Sequence, residues 1–482
     1  MSRAIIPSPY RPSAAGTAGL LLIAVMVIIH MCVLRPLMTP SNNSADDIWR
    51  SWMQHHNTTG NLPSRDHPSH LKHDQQYVSF LPHSGLQNQR IALINAAVIA
   101  KALNRTLLLP ELNLGKATYW RPSHDLEYLV ANCPSNNSIS TKCSEYRRYV
   151  PMPVDSIFDL APFEHLGIQS IQRDDMHTEN LDKQFGIKTI YRIHDPSRYS
   201  YQILDRDDVS ATRQFDSRLL LEDIMDRPEQ LILFGSLFGS NRLGLSDPEL
   251  NSARHYLRHE MGLSHPDVLK QTNVILSQLG AIPERSDANE QQVSITDGSF
   301  TSVHMRQGDG VFRKQASNTR TAIRRALEHP HDDDDKDQQQ ETDQFMEETV
   351  ERLQRLPSRK DVLEACVELQ SMEHLHARLR LIYMATDSRR PQAQLADLYA
   401  EFVCLFTLHD FPEVTQAIAD PLLLPLVDAE VASHADYFIP TPKSTFSGYI
   451  SQRNHKLHST ETILSSLPPS SSTTITTTST SL

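Results

Sequence analysis

Hydrophobic and polar positions divide the chain into three regimes. Residues 18–34 read AGLLLIAVMVIIHMCVL, apolar apart from His30, and no charged residue falls between positions 12 and 34. A run of that length predicts one membrane-spanning helix, assigned to residues 18–38 behind a cytosolic tail of 1–17. Residues 39–76 are rich in Ser, Asn, His, Pro and Thr without a sustained apolar period, the pattern of a flexible stem. From position 77 short apolar runs alternate with turn residues. Tyr77, Val78, Ser79 and Phe80 predict a strand, apolar residues at helical spacing predict a helix over 91–103, and Leu107, Leu108, Leu109 and Pro110 predict a second, buried strand. Strand, turn, helix and strand within about thirty residues make a βαβ unit, whose ligand edge is the first turn.

That turn reads His83-Ser84-Gly85-Leu86-Gln87-Asn88-Gln89-Arg90. Gly85 predicts backbone angles that a β-carbon would penalise. Asn88 and Gln89 put side-chain amides at a helix entrance, where free N–H groups and the helix dipole favour anionic oxygens. A turn that only connects and caps the helix is the competing reading of this segment alone. Residues 155–280 contain one strand-like run, Leu231 to Phe234, and otherwise predict helices and loops. A second α/β pattern starts near 299. Segments 300–306, 381–387 and 436–439 each predict a strand, and their polar exits deliver side chains to one sheet edge. His304 and Arg306, two residues apart, point to the same side of their strand. Residues 331–342 hold an unbroken run of aspartates followed by glutamines and predict a solvated insertion; residues 465–482 predict a Ser/Thr tail without a core.

With 482 residues the chain has room for a large core, and its net charge of -12 argues against a general nucleic-acid binder. Arg3 and Arg11 precede the span and Asp46 and Asp47 follow it, which orients the amino terminus to the cytosol and the body to a lumen. Acceptor triplets for N-glycosylation begin at Asn42, Asn57, Asn104 and Asn136. Cys32 lies in the span, so Cys133, Cys143, Cys366 and Cys404 remain for that lumen. Three pairings are open to them. Cys133 with Cys143, closing a short polar loop, is the preferred pair; Cys366 with Cys404 stands against free buried thiols. His67, His70 and His73 are evenly spaced, but Pro68 breaks any helix that would align them as metal ligands.

Four blocks, HSGLQNQRIALINAAVIAKALNRTLLLPEL, HMRQGD, YMATDS and FIPTPKSTFSGYI, occur in the order and relative spacing of the GDP-fucose fucosyltransferase superfamily. The first block most resembles the protein O-fucosyltransferases, especially their fungal relatives. The resemblance covers about residues 77–453, with a poorly matched middle. It implies an α/β, GT-B-like fold of two Rossmann-like domains facing a central cleft, following the transmembrane helix and stem. Residues 77–285 would form the acceptor side and 286–460 the GDP-sugar side, with an acidic insertion at 330–345 and a tail at 461–482.

The same resemblance implies site roles. Arg306 would hold the phosphate nearest the fucose and Asn88 would approach the reacting sugar, which makes these two the catalytic candidates. His304 and Asp309 belong to the same block as Arg306, and Asp387 to the Ala-Thr-Asp strand exit. Asp428 resembles the acid that reads the guanine edge, and Ser444, Thr445 and Phe446 the segment around diphosphate and ribose. With Gly85, these form the donor-binding set. The implied reaction is inverting transfer of fucose from GDP-fucose to a Ser/Thr hydroxyl of a secretory-pathway protein. It needs neither metal nor cofactor, and the implied location is a Golgi or endoplasmic reticulum membrane of single-pass type II topology. Alternatives are a glycan acceptor, a non-catalytic protein that binds GDP-sugar or glycoprotein, and a scaffold without ligand. Some family members carry a glutamate base where Gly85 stands; here the departing diphosphate or a water would take the proton. Asp205-Arg206-Asp207 has the Asp-x-Asp form that holds Mn²⁺ in other glycosyltransferases, but it lies outside the matched blocks.

Overall fold

The computed structural model describes residues 75–115, 119–134, 141–144, 149–208, 212–281, 300–308, 310–328, 339–372 and 375–458. The expected span and tail, nearly all of the stem, Asp309 and much of the acidic insertion lie outside them. Among the described residues no helix is long and apolar enough to cross a membrane.

The first half contributes β1 (Tyr77–Phe80), β2 (Thr106–Leu109), β3 (Leu112–Gly115), β4 (Tyr149–Met152) and β5 (Ser170–Gln172). It continues with β6 (Ile190–Ile193), β7 (Tyr201–Leu204), β8 (Ser217–Leu220), β9 (Leu231–Phe234) and β10 (Leu243–Gly244). The second half adds β11 (Thr301–Met305), β12 (Ile382–Thr386), β13 (Leu405–Phe406) and β14 (Tyr437–Ile439). The longer helices are α1 (Leu86–Ala102), α2 (Ser123–Asn132), α3 (Pro248–Glu260), α4 (Pro266–Gln278) and α5 (Gly310–Glu328). They are followed by α6 (Gln339–Gln354), α7 (Arg359–Leu369), α8 (Leu424–Ser433) and α9 (Thr445–His458).

Two parallel sheets organise these elements into an α/β fold. The first has the order β5-β2-β1-β9-β6 and the second β13-β12-β11-β14. Every pairing within both is parallel. Parallel strands are covered on both faces, so their sequences are continuous apolar runs. TLLL of β2 and LILF of β9 are buried at every position. Each fully buried aliphatic or aromatic side chain contributes about 1.5–3 kcal/mol. The β1-α1-β2 unit is the one expected, closed by Asn104, whose left-handed φ of 49° ends α1 before β2.

The middle region departs from the sequence reading. Beside the expected β9 it contains β5, β6, β7 and β8, where helices and loops were expected. β6 is half-buried along its length and β8 starts exposed, so neither has the continuous run or the alternation by which a strand is recognised. They are strands because β9 and β7 offer them ladders. Part of the expected acidic insertion is also regular, since α6 begins at Gln339. Both candidate disulfides are formed, Cys133–Cys143 and Cys366–Cys404. The second ties α7 to the residue before β13.

Candidate active site

The strands of the second sheet run out at a common edge, and there the sequence turns from apolar to polar. His304, on the inner strand β11, is only 4% exposed. Its Nδ1 lies 2.7 Å from the hydroxyl of Ser447 in α9, and its ring packs on Phe446 with centroids 4.7 Å apart. Burial first, and then the positive charge of Arg306, hold its pKa down at about 3. The imidazole is therefore neutral at physiological pH.

Arg306 follows the end of β11. Its backbone N–H donates to the Thr441 hydroxyl at 3.2 Å, and that hydroxyl donates to the His304 carbonyl. The guanidinium carbon lies 4.5 Å from the centroid of the Phe312 ring. The next two N–H groups, of Gln307 and Gly308, each donate to one oxygen of Asp387 at 2.9 Å. A β-carbon on Gly308 would come within 2.7 Å of an Asp387 oxygen, so glycine is what lets the carboxylate close on this turn. Asp387 thus shapes the turn after Arg306 as well as facing the cavity.

Asp428 reaches the same edge from α8. The Tyr383 hydroxyl donates to it at 2.6 Å and the Thr386 N–H at 3.3 Å. Burial nevertheless outweighs these donors and pushes the carboxyl up to about 7. His304, Arg306, Asp387, Asp428 and Phe446 all line one cavity of about 370 Å³. Beside these and Thr386 of β12, its walls were not foreseen: Thr407, Leu408 and His409 follow β13, Pro421 precedes α8, and Leu424 and Pro425 begin it. The first wall is braced by Asp410, which accepts from the Thr407 N–H at 2.8 Å and pairs with Arg359 at 3.0 Å. A Thr-x-x-Asp spacing like that of a capping box was the available signal.

Ser444 and Thr445 lie on the other side of the first turn of α9. They line a separate cleft of about 230 Å³ together with Gln87 and Ile91 of α1. Lys443, at a left-handed φ of 63°, turns the chain into that helix. Asn88 and Gly85 sit at the entrance of α1 and line neither space. The Gly85 expectation is corrected in one respect. Its φ is -66° and a β-carbon there would meet nothing within 4 Å, whereas Ser84 carries the left-handed φ of 68°. The turn is thus made one residue earlier, by a serine whose hydroxyl lies 2.8 Å from His83 Nδ1. The Gly85 carbonyl accepts from the N–H groups of Asn88 and Gln89. The Asn88 side-chain oxygen is buried without a hydrogen-bond partner. Asp309 lies outside the described residues. The Asp205 carboxylate accepts from the N–H groups of Ser246 and Asp247 at 2.7 and 2.6 Å, and Asp207 pairs with Arg218 at 2.8 Å. Both acids of the Asp-x-Asp triplet are engaged, one by the backbone after β10 and the other by an arginine of β8.

A family model described as GDP-fucose protein O-fucosyltransferase matches residues 168–456. O-fucosyltransferase 1 of Arabidopsis thaliana is 26% identical over 140 residues, which cover 25% of this chain and 26% of that protein. O-fucosyltransferase 6 of the same plant is 30% identical over 84 residues, 16% of this chain and 14% of that protein. The aligned part thus spans about a quarter or less of these curated relatives. Among solved structures, POFUT1 in complex with GDP-fucose is 14% identical, covering 78% of this chain and 94% of that one at a TM-score of 0.36. The fucosyltransferase NodZ from Bradyrhizobium is 13% identical, covering 78% and 93% at a TM-score of 0.33.

Proposed function

Since the chain belongs to the GDP-fucose protein O-fucosyltransferase family, we propose that it transfers fucose from GDP-fucose to a serine or threonine hydroxyl of a secretory-pathway protein, with inversion at the anomeric carbon. The observation that carries this reading is the convergence of His304, Arg306, Asp428 and Phe446 on one cavity at the polar edge of a parallel sheet. Open α/β sheets bind nucleotides at such edges. The two sheets would form the lobes of a GT-B-like enzyme, with the first on the acceptor side.

Each group then has a task. The Asp428 carboxylate accepts from the N–H edge of guanine, between apolar walls supplied by Leu408 and Leu424. The amino terminus of α9, with Ser444 and Thr445, faces the diphosphate, as helix termini favour anions. Neutral His304 and the Arg306 guanidinium take up the charge that grows on the diphosphate as its bond to the anomeric carbon breaks. The acceptor oxygen bonds that carbon from the opposite face, and its proton passes to the departing diphosphate or to water. Asn88 stands on the sugar side. No metal is required by this scheme. Both disulfides support an oxidising compartment. We assign the protein to a Golgi or endoplasmic reticulum membrane, anchored by residues 18–38 with its body lumenal.

Calorimetric titration with GDP-fucose, GDP-mannose and a UDP-sugar, with and without EDTA, tests this. Selective, EDTA-resistant binding of GDP-fucose, and labelled fucose appearing on a Ser/Thr peptide and not on glycans, is the expected result. A chain that binds no guanine nucleotide refutes the donor assignment, and transfer only to glycans refutes the acceptor.

A further inference from the structure

The cleft beside α9 contains polar atoms that the fold does not use. Its wall from α1 presents Gln87 and Ile91, four residues apart and therefore on one helix face. Arg90 and Tyr449 also border it, but their polar groups are committed. Arg90 donates to the Met261 and Arg258 carbonyls and to Gln452, and the Tyr449 hydroxyl donates to Glu430. Gln87 differs. It is only 6% exposed, and neither the oxygen nor the nitrogen of its amide has a hydrogen-bond partner. A buried amide in that state carries a desolvation cost that nothing in the protein offsets.

The unmet groups define their ligand. An anion would satisfy the Gln87 nitrogen and leave its oxygen unpaired; a cation would do the reverse. A hydroxyl both donates and accepts, so a polyhydroxylated ring meets both atoms. Ile91, beside Gln87, suits an apolar substituent on that ring. The position agrees, because one turn of α9 separates the two spaces: Phe446 lines the nucleotide cavity, while Ser444 and Thr445 line the cleft. A diphosphate lying across that turn delivers whatever sugar it bears to the cleft. We propose that Gln87 is a sugar-reading residue, bonding ring hydroxyls of the donor while Ile91 packs against the methyl carbon of a 6-deoxyhexose. This rests on the donor reading given above and adds the residue that tells the sugar from its absence.

The test compares GDP with GDP-fucose on the full chain, without acceptor, for wild type, Gln87→Leu and Gln87→Met. Each substitution should raise the Kd for GDP-fucose about tenfold, as loss of a bond to a buried group does. The Kd for GDP should change less than twofold. The melting temperature should hold or rise, since an unpartnered amide is being removed. An unchanged ratio of the two affinities in a wild type that binds both overturns the inference and leaves the donor reading standing. A wild type that binds neither nucleotide refutes both. Should Gln87→Leu fail to fold, Gln87→Met, which keeps the unbranched shape, supplies the same ratio.

Discussion

At the polar edge of the second sheet the side chains facing the cavity are held by the protein itself, whereas at the entrance of α1 two side-chain amides keep buried atoms that bond nothing. Asp387 is gripped by two backbone N–H groups, Asp428 by a hydroxyl and an N–H, and His304 by Ser447. Gln87 and the oxygen of Asn88 have no such grip. The first arrangement is oriented before any ligand arrives, which is what electrostatic stabilisation of a developing charge requires. The second holds an unmet desolvation cost that a ligand removes on binding. On the roles proposed above, the comparison teaches that side chains set for a nucleotide and side chains set for a sugar are told apart by opposite signs: satisfaction in one case and its absence in the other.

The comparison is broken most directly at Arg306. Arg306→Ala should lower kcat about 10²–10³-fold, the cost of losing one charge-stabilising group, read by product release at saturating donor. Wild-type turnover would remove the held edge from the chemistry. The next largest effect is a pH dependence. The fold raises the Asp428 carboxyl from its ordinary 3.8 to about 7, so the folded chain keeps a proton that the unfolded chain has released. The stability from this group is complete below the unfolded value and is lost as pH climbs through 7. On the proposed contact with guanine, nucleotide binding runs the other way, because its N–H donors need the ionised form. Affinity for GDP should therefore fall by up to about tenfold per pH unit below 7, and Asp428→Asn should flatten that profile. His304, neutral down to about 3, makes no step there. A wild-type profile flat from pH 8 to 5.5 would take Asp428 off the base.

Smaller changes sharpen the contrast. Gly308→Ala forces a β-carbon against Asp387 and should cost about 1–3 kcal/mol of stability, as overpacking does. The accompanying loosening of the Arg306 turn should be visible as a weaker donor KM; chemical denaturation and initial rates measure the pair. Gly85→Ala is the counterpart on the other edge. Its backbone is ordinary and the space is open, so a gain in unfolded-state rigidity of about 0.4–1 kcal/mol is offset by a poorer helix cap. The net change should stay within about 0.5 kcal/mol, and a larger loss would restore the turn role expected for that glycine.

How far the sequence could be read follows from where each part draws its information. β2, β9 and β12 are mainly apolar runs because they are covered on both faces, and β1 and β11 keep buried apolar positions around Ser79, Ser302 and His304; such runs are visible without a structure. β6 and β8 are fixed by neighbours hundreds of atoms away, and nothing in IYRI or SRLL announces them. The site divides in the same way. Arg306, His304, Asp387, Asp428 and Phe446 stand in or near short blocks with recognisable chemistry, and all five line the cavity. Leu408, His409 and Pro421 come from single three-residue turns, where no period exists to be counted, and Pro425 stands at the start of α8. Gln87 was passed over beside the more telling Asn88, since an unpartnered amide is a property of surroundings and not of spacing.

The first turn of α9 has a consequence for how such proteins diverge. Thr445 and Phe446 are consecutive residues, yet one opens on the cleft and the other on the cavity lined by His304 and Arg306. If the two spaces hold nucleotide and sugar as proposed, a change of sugar preference made at that turn would also disturb the nucleotide side. The opposite wall, where α1 begins, answers to the cleft alone. On that proposal a change of sugar is sought at position 87 before it is sought at 445, across a partition a single helical turn thick.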